Sequence, residues 1–113
     1  MSYDLAVWSG SRPASDDAAG REYERLLEQA EQEVAADADP QIVAFVTDLM
    51  DRVPDEPSPW AAERLLDDAA GSLLLVTMTA DGARTAVPVC AKTAADHDLV
   101  CFDPQTGHVI SPA

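Results

Sequence analysis

The sequence predicts an α/β or α+β fold: a small mixed sheet of three or four strands packed by about three helices, in the order β-α-α-β-α-β-β. Three observations predict it. "YDLAVW" near the start alternates side chains with the two-residue period of a strand. Two stretches of the first half carry apolar residues at helical spacing. Two compact apolar runs, "SLLLVTM" and "LVCF", follow in the second half, each bounded by turn residues. The 113 residues suit one domain spanning 1–113.

In the first strand Tyr3, Leu5 and Val7 share one face, and Asp4, Ala6 and Trp8 the other. "SGSRP" breaks that pattern. Ser15 is a predicted N-cap, with Asp16 and Asp17 in the first turn, where the helix dipole favours acids. The helix runs to about Val34, because Tyr23, Leu26, Leu27, Ala30 and Val34 make one apolar stripe. Asp39 can cap a second helix with Pro40 at its first position. Ile42, Phe45, Val46, Leu49 and Val53 then repeat the spacing until Pro54 stops it.

"PDEPSPW" is a proline-rich connector, and "WAAERLLDDAAG" reads as a short helix ended by Gly71. "SLLLVTM" is a buried strand and "ADG" a turn. Residues from about Arg84 to Asp96 form a third helix with Val87, Cys90, Ala91 and Ala94 on one side; Pro88 is tolerated only in its first turn. In "LVCF" Leu99 and Cys101 point opposite to Val100 and Phe102. "DPQTG" then turns the chain, Asp103 bonding the turn's backbone and Gly107 taking a positive φ, and "HVI" returns as a last strand. Strand–helix–strand connections of this kind predict right-handed crossovers between parallel strands.

Charge narrows the function classes. Seven basic residues stand against 21 acidic ones, a formal net of −14. Residues 1–68 hold 17 acids and 5 bases, so the acidity belongs to the first part. Nucleic acid and anionic membranes are repelled by such a surface, whereas a basic protein is attracted and steered into encounter. Solubility in salt is the plainer use of the same acidity. "MSYDLAVW" has an early aspartate and no basic n-region, so no signal peptide is expected and cytoplasm is the default location. Cys90 and Cys101 are then expected as free, buried thiols, and 5% aromatic content implies a largely aliphatic core.

The densest chemistry is in "HDLVCFDPQTGHV", residues 97–109. His97, Cys101, Asp103 and His108 are the side chains of a thiol enzyme, but a mid-strand cysteine beside acids lacks the thiolate-stabilising surroundings that catalysis needs. Cys101 and His108 also lack the paired spacing of a structural zinc site. No Gly-rich phosphate loop, nucleophile elbow, HExxH or basic-aromatic patch is present. No catalytic residue, metal or cofactor is therefore assigned.

The acidic helix offers more. Glu24, Glu28 and Glu31 fall together on one flank, about 80–140° from the apolar centre. Arg21 and Arg25 can pair with Glu24 and Glu28 at i, i+3. Asp48 and Asp51 lie outward on the second helix and extend the negative surface. Trp60, on a proline-stiffened loop, either packs down on the core or serves as an interface anchor. Exposed carboxylates of this kind suit binding, since paired catalytic carboxylates need one shielded in a cleft.

In "SYDLAVW", "SPWA" and "HDLVCFDPQ", across most of its length, the chain resembles a group of small acidic actinobacterial proteins. It departs from their more frequent pattern at Asp98, where the group more often has a glycine, and at Pro88, where its helix is more often proline-free. In size and charge these are similar to immunity proteins of polymorphic toxin systems. The resemblance implies no site residues. The expectation is a non-enzymatic binding protein, an immunity-type inhibitor whose Glu24, Glu28, Glu31, Asp48, Asp51 and Trp60 cover a basic cleft of a toxin. The alternatives are a small ligand-binding or thiol-enzyme domain using the C-terminal cluster, and a structural homo-oligomeric module.

Overall fold

Both faces of "YDLAVW" are apolar at their centre, and that decides the layering. A computed structural model describes residues 2–10, 13–32, 39–53, 60, 69–70 and 73–110, with the backbone alone for 2, 30–32, 69 and 70. The strands are β1 (Ser2–Ser9), β2 (Ala69–Ala70), β3 (Leu73–Thr79), β4 (Leu99–Asp103) and β5 (His108–Val109). The helices are α1 (Asp16–Gln32), α2 (Pro40–Arg52) and α3 (Ala80–Asp96). The fold is α+β, with the five strands in the order β2-β3-β1-β4-β5.

Leu5 and Val7 of β1 join Leu74, Val76 and Met78 of β3 and Leu99 and Cys101 of β4 on one face, which α2 and α3 cover. Ala6 and Trp8, with Leu73, Val100 and Phe102, form the other face, covered by α1 through Ala19 and Leu26. The two-residue alternation read from the sequence thus separates two cores, one on each side of the sheet. Among the described residues no helix is long and apolar enough to cross a membrane.

Several expectations are corrected. Among the described residues every hydrogen-bonded strand pair is antiparallel, so this sheet is antiparallel rather than mixed. β3 and β4 do run the same way on either side of α3, but β1 is inserted between them and pairs with both. "ADG" is not a turn: Thr79 caps α3, its hydroxyl accepting the Gly82 amide at 2.9 Å, and the helix starts at Ala80. Pro88 therefore lies inside α3 rather than in its first turn. Ala83 and Ala86 before it, and Cys90, Ala91 and Ala94 after it, are all buried. Packing on both sides of the proline outweighs the roughly 3 kcal/mol that an interior proline costs.

Ala69 and Ala70, expected at the end of a short helix, instead pair with Leu74 and Leu73; residues 61–68 lie outside the described residues. Ser15 caps α1 as expected, accepting the Ala18 amide at 3.1 Å. The predicted end of α1 near Val34 falls outside the described residues. Asp39 holds the N-cap position of α2, but its side chain makes no cap bond and instead accepts from Ser9 Oγ at 3.4 Å.

Candidate functional site

The side chains of the C-terminal stretch make three separate sets of bonds, each to a different element. At its start, His97 terminates α3, and its Nε2 lies 2.9 Å from Asp48 Oδ2 on α2. Gln41 of α2 donates to the His97 carbonyl, capping the end of α3. Arg52 grips Asp48 through Nε at 3.0 Å and Nη2 at 2.9 Å, and reaches Asp96 Oδ2 through Nη1 at 2.8 Å. The His97 bond first, and Arg52 after it, hold the Asp48 carboxyl below its ordinary value against a desolvation penalty. This network ties α2 to α3. The i, i+4 spacing of Asp48 and Arg52 was visible in the sequence; their link to Asp96 and His97 was not.

The second contact is at the end of β4. Asp103 is buried, 4% exposed, and accepts the Tyr3 hydroxyl and the Gln105 amide, the latter at 2.9 Å. The expected turn is confirmed: the Gly107 amide donates to the Asp103 carbonyl at 2.8 Å, and Gly107 has φ +73°. Burial raises the Asp103 carboxyl, but bonds from Tyr3, Gln105 and the Thr106 amide outweigh it and hold the group below its ordinary value. The same bond, with burial, pushes Tyr3 up to about 12. The Gln105 side chain accepts the Asp4 amide at 2.9 Å and donates to the Asp4 carbonyl at 2.7 Å. That pair of bonds continues the ladder along β1, beyond Ala6, where β4 stops pairing.

The third contact is His108, whose Nδ1 lies 2.8 Å from Asp16 Oδ2. Asp16 Oδ1 accepts the Val109 amide at 3.0 Å, fastening β5 to the first turn of α1. That backbone bond first, then His108, lowers the Asp16 carboxyl. Between these contacts, Cys101 is 2% exposed, and burial, with Asp103 second, pushes its thiol up to about 12. Cys90 is also raised by burial, and both cysteines are free thiols. Among the described residues no three His, Cys, Asp or Glu side chains are grouped to hold a metal ion.

The acidic candidates are placed less simply than the helix periodicity implies. Glu24 and Glu28 are exposed on α1, while the Glu31 side chain lies outside the described residues. Arg25 pairs with Glu22, by Nε to Oε2 at 3.0 Å, rather than with Glu28, and Arg21 makes no ion pair among the described residues. Asp51 is exposed on α2, whereas Asp48 is partly shielded and engaged in the network above. The two helices cover opposite faces of the sheet. The α2 carboxylates therefore do not extend the α1 surface. A 3.6-residue period orders side chains around one helix, but it does not order helices around a sheet. Trp60 is partly buried against the α2–α3 core, its backbone bridging to Met78. In comparisons with known proteins, no family model, no curated protein and no solved structure matches this chain.

Proposed function

We propose that this chain is a non-enzymatic binding protein for a basic protein partner, most concretely an immunity-type inhibitor that covers a basic, substrate-binding cleft of a toxin. The observation that carries the reading is α1. In a chain of net charge −14, this helix leaves Glu24 and Glu28 exposed, with no ion-pair partner among the described residues. A carboxylate committed to an internal contact has little left to offer a partner; an exposed, unpaired one contributes field and contact. The residues of the C-terminal cluster stand on the other side of that division, since His97, Asp103 and His108 are each engaged within the fold. A thiol-enzyme reading needs an accessible thiolate at Cys101, where burial and Asp103 favour the neutral thiol.

The test is capture at low salt with the tagged chain as bait, followed by association kinetics with the captured protein. A stoichiometric basic protein released by salt is expected. Glu24→Lys with Glu28→Lys should slow its association by about tenfold at low salt. The double variant should fold as the parent does, within about 0.5 kcal/mol. Association unchanged by charge reversal sinks α1 as the contact. Light scattering separates the homo-oligomeric alternative, which predicts a concentration-dependent mass without any partner.

A further inference from the structure

The charge pattern of the chain breaks on one flank of α2. Val43 and Met50, 39% and 42% exposed, are the two large exposed hydrophobic side chains among the described residues. They are i, i+7 on one helix, and Thr47 lies between them, within an arc of about 60°. Thr47 is exposed, but its hydroxyl donates to the Val43 carbonyl at 2.9 Å, so its polar end is turned back onto the helix. Asp48 and Arg52, which meet α3, are on the opposite flank. Thus α2 has a neighbour along one side and, among the described residues, an uncovered and uncharged strip along the other, with exposed Asp51 at its outer border.

We infer that this strip docks an amphipathic helix of a basic protein, lying beside α2 as α3 does on its other side. Charge selects the occupant. Residues 39–53 hold three acids, Asp39, Asp48 and Asp51, and one base, Arg52, which is held by Asp48 and Asp96. A second copy of the chain would bring a net −14 against −14, whereas a cationic border on the incoming helix meets Asp51. The strip has the anatomy of an interface, an apolar centre with methionine and a charged rim. Its anchors are about 10 Å apart along the axis, which matches i, i+7 anchors on a packed helix. The surface is independent of the α1 carboxylates, which lie across the sheet.

The probe is a synthetic amphipathic leucine–lysine peptide of about 18 residues, long enough for five helical turns, with a leucine–glutamate peptide of the same pattern as control. Each is titrated into the isotope-labelled full chain at low and at high salt. The lysine peptide is expected to shift the Val43 and Met50 methyl resonances and the amides between them. Val43→Ser with Met50→Ser should weaken it about tenfold, and Met50→Gln alone should weaken it less, with spectra elsewhere unchanged. Shifts confined to the neighbourhood of Glu24 and Glu28 overturn the inference while leaving the α1 reading intact. It is equally overturned by unweakened binding to the variants, by equal binding of the glutamate peptide, by no binding of either peptide, or by self-association that Met50→Gln abolishes. The charge reversal on α1 tests the proposed function separately, because it leaves this strip untouched.

Discussion

Among the described residues, α2 and α3 cover one face of the sheet and α1 the other, and the two sides use their side chains differently. Between α2 and α3 the acids are engaged: Asp48 and Asp96 share Arg52, and His97 adds a third bond to Asp48. The core beneath them is aliphatic or sulfur-containing apart from Phe45 and the partly buried Tyr3 and Trp60. On its own side α1 is anchored by an aromatic group, Trp8, Tyr23 and Phe102, with ring centroids 5.5–6.5 Å apart. There Asp16 and Glu22 find partners, while Glu24 and Glu28 remain exposed. An acid becomes structural where the topology brings a base or an amide within reach, and stays available where it does not. The residue type is the same in both cases.

The comparison breaks most visibly in the cores. Phe45→Ala, at a fully buried ring, should cost about 3–5 kcal/mol. Leu26→Ala should fall at the low end of the roughly 2–5 kcal/mol range, since partly buried Tyr23 and Leu27 can close in on the space. Urea midpoints at unchanged slope measure both. Equal losses would mean that the α1 side is built as tightly as the other.

A smaller effect tests the Tyr3–Asp103 contact on the α2–α3 side. Tyr3→Phe leaves a buried carboxylate short of a donor and should cost about 1–3 kcal/mol. The pH dependence has two windows. The folded Asp103 carboxyl is lowered, so its contribution is complete above the unfolded value of about 3.9 and is lost as pH falls through the lowered one. The folded Tyr3 hydroxyl is raised, so its contribution is complete below 10.0 and is lost as pH rises through about 12. Stability profiles of parent and variant should converge at both extremes; parallel profiles would show that the contact carries no linked protons.

The smallest effect concerns the end of α3. Asp98 has φ +57°, a left-handed conformation that glycine adopts without a Cβ penalty. Asp98→Gly should raise stability by up to about 1 kcal/mol, read as a higher thermal midpoint. A lower midpoint would assign the aspartate a stabilising contact.

Periodicity carried much of the architecture. The alternation of β1, the stripe of α2 and the opposed faces of β4 were all legible, because burial on one face leaves a local repeat. Strand pairing was not. Nothing in the pattern of β3, α3 and β4 says that β1 lies between the two strands rather than beside one of them. Pro88 misled because its local cost was clear, whereas the burial of Ala83 and Ala86, which offsets it, depends on the sheet. At the candidate site, the exposure of Glu24 and Glu28 was legible. The separation of α1 from α2, and the meeting of Tyr3 with Asp103 from opposite ends of the chain, are tertiary facts.

The central place of β1 also orders events in time. Its partners are residues 73–79 and 99–102, so the strand made first is flanked entirely by strands made much later. Its apolar residues, among them Leu5, Val7 and Trp8, must wait while both amphipathic helices of the first half are synthesised. Contacts of such long range close slowly. On a growing chain, the middle of this sheet is therefore among the last parts to be completed, and the apolar residues of β1 stay without their strand partners until residues 73–79 and 99–102 have been made.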